Sequence, residues 1–414
     1  MSDHKKLHLF DAFGVELEYM IVDQTSLNVL PISHHLLSDE TGAPVSEVEQ
    51  GACAWSNELT HHVIEIKTNG PRSSLAGLAE DFQQQVGQIN KLLTSDNACL
   101  LPTGMHPWMN PDQELRLWPY DYSPVYTAFH KVFDCRGHGW ANLQSMHINL
   151  PFCGDKEFGK LHAAVRLVLP LLPGIAASSP WCNGRSSGFQ DTRLHAYANN
   201  SRRIPSVTAR VIPEPVYSES DYLTQILRPM YAEIAPLDSE VVLQEEFLNA
   251  RGAIARFDRG AIEIRVIDVQ ECPLADVAIA ALTIAVLKKL VNEDWSAARA
   301  QQQLQVEPLR AIFDLAVLDG EHAVIDNGEF LETWGCFASQ ISVGDLWREL
   351  FDQVRGDISC GTPEAVPVLE FILSHGTLAR RMQRASGEDP DRERMLKVCQ
   401  QLARCLAGGH LFQG

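Results

Sequence analysis

The sequence predicts an α+β fold built on an antiparallel sheet, and three observations support this prediction. Segments in which apolar and polar residues alternate, as in β-strands, come in irregular order with segments of helical spacing. The residues DRG at 258–260 lie between two strand-like segments and predict a hairpin turn. From Leu274 to the end, the pattern is mostly helical. Irregular alternation with hairpin signals favours this class over a doubly wound parallel sheet.

The first predicted strand covers residues 13–23, FGVELEYMIVD. Its odd-numbered positions up to 21 are apolar and share one face, because successive side chains of a strand point to opposite sides. Glu16 and Glu18 lie together on the other face, roughly 7 Å apart. Carboxylates this close repel each other unless a cation neutralises them, and hard divalent cations take carboxylate ligands. A solvated strand face with two carboxylates is the alternative explanation.

Three further strands are predicted to carry acidic, basic or imidazole side chains between apolar neighbours. These are Glu65 on residues 62–68, His147 on residues 140–151, and Glu263 with Arg265 on residues 261–268. Because buried unpaired charge is costly, we expect these strands to be neighbours in one sheet and to hold cations. The set is too large for a single Mg²⁺, which keeps several waters, so two or three ions bridging nucleotide phosphates fit better. Arg265 either stabilises a phosphoryl group or forms an ordinary ion pair.

The remaining segments are predicted from their spacing and turn residues. We expect a loop over 24–57, a helix after a Ser74 cap, a buried strand from residue 98, a loop with a short helix over 109–135, a long helix over 155–178, a polar loop or lid over 181–220, a helical stretch to about 250, and an amphipathic helix from Leu274 to Val291.

Composition and charge restrict the function classes. The chain has 414 residues with a net charge of −19, which argues against a nucleic-acid or anionic-membrane partner. The N-terminus lacks an apolar signal segment, and no apolar run of about 20 residues occurs. Ten cysteines without a CxxC pair predict reduced thiols and a cytoplasmic protein. An acidic chain of this size is also compatible with a homo-oligomer.

Six motifs in order resemble the glutamate–cysteine ligase type 2 family, whose members are carboxylate–amine ligases of the glutamine synthetase superfamily. They are GVELEYMIVD, HVIEIKT, GMHPW, QSMHINLP, SSPWCNGRSSGFQDTR and RGAIEIRVID. The resemblance runs from about residue 8 to residue 290. It implies a curved antiparallel half-barrel flanked by helices. It also implies a single catalytic domain over residues 1–414, in which the part from about residue 295 is a helical extension. It also implies ATP as co-substrate, Mg²⁺ or Mn²⁺ as cofactor, and small molecules (an amino-acid carboxylate and an amine) as partners.

The resemblance also implies roles for individual residues. Glu18 and Glu65 correspond to the ligands of one ion, and Glu16, His147 and Glu263 to those of a second. Arg265 corresponds to an arginine that contacts phosphate or the tetrahedral intermediate, so Arg265 and Glu263 are the catalytic candidates. Arg185 and Arg193 are candidates for binding the substrate carboxylate. The family reaction joins a carboxylate to an amine through an acyl phosphate, with glutamate and cysteine as the default pair.

Two other classes of function stay open at this point. The same sheet supports guanidine phosphotransferases, which would leave the phosphoryl group on the substrate, and a non-catalytic paralogue that binds nucleotide and amino acids. The presence of every predicted metal ligand argues against the second. A zinc site built from His61, His62 and Glu65 is disfavoured, since that spacing suits a helix and the segment has a strand pattern.

Overall fold

The computed structural model describes residues 6–414 and contains one large antiparallel sheet. Its strands are β1 (Gly14–Asp23), β2 (Glu47–Gln50), β3 (Cys53–Asn57), β4 (Val63–Thr68), β5 (Ala98–Leu101), β6 (Ser145–Pro151), β9 (Ala253–Arg256) and β10 (Ala261–Asp268). They run in the order β2-β3-β4-β1-β6-β10-β9, and β5 pairs with the end of β1 along the edge that also pairs with β6. Two small hairpins lie apart, formed by β7 (Trp181–Cys182) with β8 (Arg185–Ser186) and by β11 (Val324–Ile325) with β12 (Ile341–Ser342).

The α-helices occupy the long connections and the C-terminal part. They are α1 (Leu78–Leu93), α2 (Pro111–Glu114), α3 (Ser123–Phe133), α4 (His138–Ala141), α5 (Gly154–Val168), α6 (Pro173–Ala176), α7 (Thr192–Tyr197), α8 (Glu219–Tyr222), α9 (Arg228–Ile234), α10 (Pro273–Val291), α11 (Ala298–Gln303), α12 (Val306–Asp319), α13 (Gly328–Thr333), α14 (Val343–Gly361), α15 (Ala365–His375), α16 (Leu378–Ser386) and α17 (Arg392–Gly408). The predicted α+β class, the antiparallel open sheet and the helical C-terminal part are therefore confirmed.

The register of the sheet brings the predicted polar residues together. β1 lies between β4 and β6, and β6 is followed by β10, so the four strands that carry them are neighbours. Glu18 lies opposite Glu65, and Glu16 lies opposite His147. Glu263 lies opposite Asn149. Since side chains alternate along each strand, all these groups share one face of the sheet.

The other face of the sheet packs on helices. The apolar side chains of β1 on this face are fully buried, and α1 contacts β3, β4 and β5 while α5 and α6 contact β10. α10 packs against α1, α5, α14 and α15. Every side chain from Ala275 to Leu287 is buried, so the predicted amphipathic character of this helix is wrong. A helix with neighbours on all sides gains stability from apolar residues all round.

Several predicted boundaries differ from the structure. Residues 24–57 contain the β2–β3 hairpin instead of only loop, and Gly51 in its turn has a φ of 69°. The helix after Ser74 begins at Leu78 with Gly77 as its cap residue. The helix predicted over 155–178 breaks after Val168, where prolines at 170 and 173 remove backbone donors.

The segment predicted as a polar lid over 181–220 is partly built into the body of the molecule. It contains α7, and its later apolar residues are buried. These are Val207, Val211, Ile212 and Val216. The predicted hairpin over 253–268 is confirmed, with Gly260 at a φ of 63° in its turn.

A continuous set of buried apolar residues extends from Phe13, just before β1, to Leu406 in α17. Residues beyond 295 contribute to it through α12, α14 and α15. The assignment of one catalytic domain with a helical extension from about residue 295 stays a prediction. Within residues 6–414, no helix combines the length and apolar character needed to cross a bilayer.

Candidate functional site

A cleft of about 730 Å³ covers the polar face of the sheet. Its floor is formed by β1, β4, β6 and β10, and its walls by α3, α4, α7 and the segments before β2 and β9. The lining includes Glu18, Glu58, Glu65, Lys67, Ser145, His147, Arg193 and Arg265. The strands thus place acidic, basic and imidazole side chains at the bottom of one concave surface.

One group on this floor consists of Glu16, Glu65 and His147. Each offers one ligand atom, and these atoms lie within 4.8 Å of one another. The His147 Nδ1 is 3.0 Å from Glu16 Oε2, and Asn149 Nδ2 donates to Glu16 Oε1 at 3.0 Å. Ser56 Oγ donates to Glu65 Oε1 at 2.5 Å. Two carboxylates and one imidazole in this spacing match the oxygen and nitrogen donors of a divalent cation site.

A second group consists of Glu18, Glu58 and Glu65, whose ligand atoms also lie within 4.8 Å of one another. The backbone N–H and the hydroxyl of Ser145 donate to Glu18 Oε2 at 2.7 and 2.9 Å. These two bonds fix one oxygen of Glu18, and its other oxygen, Oε1, lies 3.8 Å from His147 Nε2. Glu65 belongs to both groups, so it would bridge two ions.

Burial makes the second group electrostatically unfavourable without a cation. Burial and the charge of Glu16 raise the pKa of Glu65 to about 7, against the opposing charge of Lys67. Burial, together with the charges of Glu18 and Glu65, raises the pKa of Glu58 well above its usual value. Burial and mutual repulsion thus favour the protonated forms of these carboxyl groups, and a bound metal ion would supply the positive charge instead.

The pair of Glu16 and His147 shows the opposite behaviour. Burial alone would raise the pKa of Glu16, but the hydrogen bond and charge of His147, with the charge of Lys67, lower it to about 2. Burial alone would lower the pKa of His147, yet the hydrogen bond to Glu16 and the charges of Glu18 and Glu263 raise it to about 9. A protonated imidazole thus compensates part of the negative charge of the floor.

Glu263 and Arg265 form the β10 side of the site. Glu263 Oε1 is 3.0 Å from Arg265 Nε and 3.8 Å from His147 Nδ1. The Arg265 Nη1 donates to the backbone oxygen of Asn249 at 3.4 Å. The ion pair that was the alternative explanation for Arg265 is present. It also holds the guanidinium at the cleft, so the two interpretations are compatible.

The two arginines predicted to bind a substrate carboxylate differ in position. Arg193 is fully buried, lines the cleft and pairs through Nε with Asp268. Its Nη2 is buried and has no hydrogen-bond partner among the described residues. Arg185 is exposed on β8 and does not line the cleft. The structure brings together every other predicted site residue at this floor.

Glu58 is the main site residue that the sequence analysis did not identify. It follows β3 directly, within a polar stretch that had no strand pattern of its own. Lys67, Ser145 and Asn149 were also unassigned, although they lie on the same strand faces as the predicted ligands. Reading each strand face completely, instead of its acids alone, would have found these three.

The zinc site of His61, His62 and Glu65, which the sequence pattern disfavoured, does not assemble in the structure. His61 Nε2 lies 2.8 Å from the Nδ1 of His34, and His62 Nε2 lies 2.8 Å from the backbone oxygen of Ala141. Both imidazoles therefore have partners outside the cleft floor.

Known proteins similar to this chain share its fold and identify its family. The profile of glutamate–cysteine ligase family 2 matches residues 12–323. A protein of Archaeoglobus fulgidus, described as uncharacterized, is 30% identical over 399 residues, which cover 96% of this chain and 99% of that protein. A putative glutamate–cysteine ligase 2 of Herpetosiphon aurantiacus is 24% identical over 391 residues, covering 93% and 91% of the two chains.

Among solved structures, the glutamate–cysteine ligase of Francisella tularensis, in complex with AMP, superposes with a TM-score of 0.62 at 13% identity. The match covers 97% of this chain and 89% of that one, and it shows a shared fold. The family match covers about three quarters of the 414 residues and includes every strand of the polar floor. The chain belongs to glutamate–cysteine ligase family 2.

Proposed function

We propose that the protein is an ATP-dependent carboxylate–amine ligase that works with Mg²⁺ or Mn²⁺ and activates an amino-acid carboxylate, with glutamate as the first candidate. The observation that supports this most directly is that two groups of three candidate metal ligands lie at the bottom of the cleft and have Glu65 in common. Membership of a ligase family gives the reaction class. AMP is bound in the solved Francisella enzyme, which supports an adenine nucleotide as co-substrate here.

The donor set fits hard divalent cations. Glu16, Glu65 and His147 would hold one ion, and Glu18, Glu58 and Glu65 a second, with Glu263 next to the first. Such ions, when bound, neutralise phosphate oxygens and orient the terminal phosphoryl group. This assignment adds Glu58 to the ligands expected from the family resemblance and makes Glu65 common to both ions.

The chain's own cations would complete the site. Arg265, held by Glu263 at 3.0 Å, is placed to stabilise negative charge on the phosphoryl group during its transfer. Arg193, fixed through Nε by Asp268, would bind the non-reacting carboxylate of the acid substrate through its free Nη2. Arg185 lies outside the cleft, so any contact with substrate would require movement of the β7–β8 hairpin.

The proposed reaction has two steps. The substrate carboxylate oxygen attacks the γ-phosphorus of ATP, the bond to the β–γ bridging oxygen breaks, and ADP and an acyl phosphate form. The amine nitrogen then attacks the carbonyl carbon, inorganic phosphate leaves, and the nitrogen loses a proton to give an amide. Because the acyl phosphate hydrolyses readily, the cleft must exclude water, and the walls formed by α3 and α7 would serve this purpose.

The test is release of ADP and phosphate from Mg²⁺-ATP with glutamate, with and without a panel of amines. We expect amine-dependent phosphate release and an amide product. Replacing Glu18 or Glu263 by Ala should lower turnover at least about 100- to 1000-fold, the scale of losing one preorganised group that stabilises the transition state, while circular dichroism stays unchanged. Glu49→Ala, an exposed acid of β2 outside the cleft, is the matched control and should keep full activity.

Two results would contradict the proposal. ADP released together with a phosphorylated substrate would identify a phosphotransferase. Full activity in both Glu18→Ala and Glu263→Ala would show that the active site is not at the assigned residues.

A further inference from the structure

One wall of the cleft is aromatic and apolar. We call it the aromatic wall and define it by Tyr122, Val125, Tyr126, Phe129, Trp140, Leu143 and Phe247. The first four come at spacings of three and four residues at the start of α3 and along it, so they form one face of that helix. An apolar helix face is ordinarily covered by the core, whereas this face borders the cleft.

The aromatic wall is only partly covered by protein. Tyr122 is 60% exposed and Phe247 is 37% exposed, which places both among the large apolar side chains that face solvent. Deeper in the cleft, the Phe129 ring contacts Trp140 and Phe247 at centroid distances of 5.5 and 6.2 Å. Trp140 Nε1 has no hydrogen-bond partner among the described residues. Exposed apolar surface that continues into a polar cleft marks a ligand contact.

The position of the wall relative to the carboxylates identifies which substrate it would contact. Asn57 Nδ2 donates to the Tyr126 hydroxyl oxygen at 3.0 Å, and Asn57 directly precedes Glu58. The aromatic wall therefore begins next to the ion group of Glu18, Glu58 and Glu65. A nucleotide base is separated from its metal-bound terminal phosphates by the ribose and the first phosphate. The side chain of an amine that attacks the activated carboxyl carbon lies much closer to those phosphates.

We propose that the amine substrate carries a bulky apolar or aromatic side chain, which binds the aromatic wall, in place of a small or thiol-bearing one. This inference rests on the proposed ligase function and adds the class of its second substrate. The polar groups of the floor hold the charged parts of the reactants, and the wall selects the amine by burying its apolar surface.

The experiment measures phosphate release with Mg²⁺-ATP and glutamate and compares two sets of amines. L-phenylalanine, L-tyrosine and L-leucine form the apolar set, and glycine, L-serine and L-cysteine form the small set. We expect kcat/KM for the best apolar amine to exceed that for cysteine at least about tenfold, since burial of a few methylene groups discriminates by this factor or more.

The variant Phe247→Ala tests the wall itself, because the Phe247 side chain is 37% exposed and its loss should leave the fold intact. We expect KM for the best apolar amine to rise several-fold, with KM for ATP and for glycine unchanged. Phe337→Ala, which removes an 85% exposed ring outside the cleft, is the matched control and should change none of these three constants.

Each alternative outcome has a distinct meaning. Preference for cysteine or glycine overturns the inference and leaves the ligase function standing. A rise in KM for ATP, without one for the amine, in Phe247→Ala also overturns it and assigns the wall to the nucleotide base. No amine-dependent phosphate release with any amine, in protein that binds ATP, overturns the ligase function and the inference together.

Discussion

Two sets of buried acids differ in their surroundings: one lies at the end of β10 and just after it, and the other lies on the cleft floor. Just after the strand β10, Glu271 and Arg381 form an ion pair in which both side chains are fully buried. At the end of β10, Asp268 pairs with Arg193 and accepts hydrogen bonds from the backbone N–H of Ser178 and the hydroxyl of Ser179, both at 2.8 Å. In the cleft, by contrast, the carboxylates face each other.

The difference separates structural acids from acids of a site. A buried carboxylate with its own guanidinium and several donors has its charge compensated within the fold. In the cleft, the Lys67 ammonium group pairs with Glu65 at 3.3 Å and is shared with Glu47 at 2.7 Å. Carboxylates that face each other lower the stability of the protein, and binding of cations restores the lost stability. Three predictions test this contrast.

The largest effect is expected at the compensated pair. Glu271→Ala leaves the Arg381 guanidinium buried without a counter-charge, and we expect a loss of about 3–5 kcal/mol in the free energy of unfolding, measured by urea denaturation. The double variant Glu271→Leu/Arg381→Met should recover most of this loss, because apolar side chains can replace a buried ion pair at little cost.

Glu18→Ala provides the contrasting case in the same assay. It should cost far less than Glu271→Ala, since it removes one of three mutually repelling carboxylates. A loss for Glu18→Ala as large as that for Glu271→Ala would show that the cleft acids are structural, and the contrast would fail.

An intermediate effect is expected from metal binding. Mg²⁺ at 100 times its dissociation constant should stabilise the fold by about 2.7 kcal/mol, seen as a rise in melting temperature. The rise should be larger at pH 8 than at pH 6, because ligands must lose protons to bind the ion and burial with the charge of Glu16 raises the pKa of Glu65 to about 7.

The controls for this prediction compare acids inside and outside the cleft. Glu58→Gln should reduce the Mg²⁺-dependent rise, and Glu49→Ala should leave it unchanged. An equal rise in wild type and Glu58→Gln would remove Glu58 from the proposed ligands, and an equal rise at pH 6 and pH 8 would contradict the proton competition.

The strand faces were predictable because their pattern is local. In β1, alternation alone separates Leu17, which is fully buried in the core, from Glu16 and Glu18, which lie on the opposite, polar face of the sheet. The same pattern on β4, β6 and β10 predicted which side chains point to the cleft, and the register confirmed that these strands are neighbours. A sheet with one apolar and one polar face leaves this period-two signal in the sequence.

The features that the sequence did not predict depend on contacts between distant segments, which the local pattern does not encode. Glu58 follows the short strand β3, and it joins the site because β3 pairs with β4 and places Ser56 opposite Glu65. The uniform burial of α10 depends on α14 and α15, which lie more than 50 residues later. The family resemblance supplied two expected ion sites, while the sharing of Glu65 between both groups is visible only in three dimensions.

The smallest effect on the free energy of unfolding is expected from removing the charge of Glu65 in the cleft. The pH dependence of this effect tests whether charge repulsion is its cause. Glu65 and Glu18 are directly opposite each other on neighbouring strands, and like charges in this position destabilise a sheet by up to about 1 kcal/mol. Glu65→Gln keeps the oxygen that accepts the Ser56 hydroxyl and removes the charge. Without metal at pH 8, we therefore expect this variant to be more stable than the wild type by up to about 1 kcal/mol.

The sign of the pH dependence follows from the raised pKa of Glu65. Burial and the charge of Glu16 raise it from 4.5 to about 7, so the contribution of Glu65 to stability is fully present below pH 4.5 and is lost as the pH rises through about 7. The extra stability of Glu65→Gln should accordingly vanish near pH 4.5. It should reverse when saturating Mg²⁺ is added at pH 8, because the wild type then binds the ion through the Glu65 carboxylate, which the variant lacks. A gain that is the same at both pH values would mean that charge is not its cause, and Glu65 would then belong with the compensated acids.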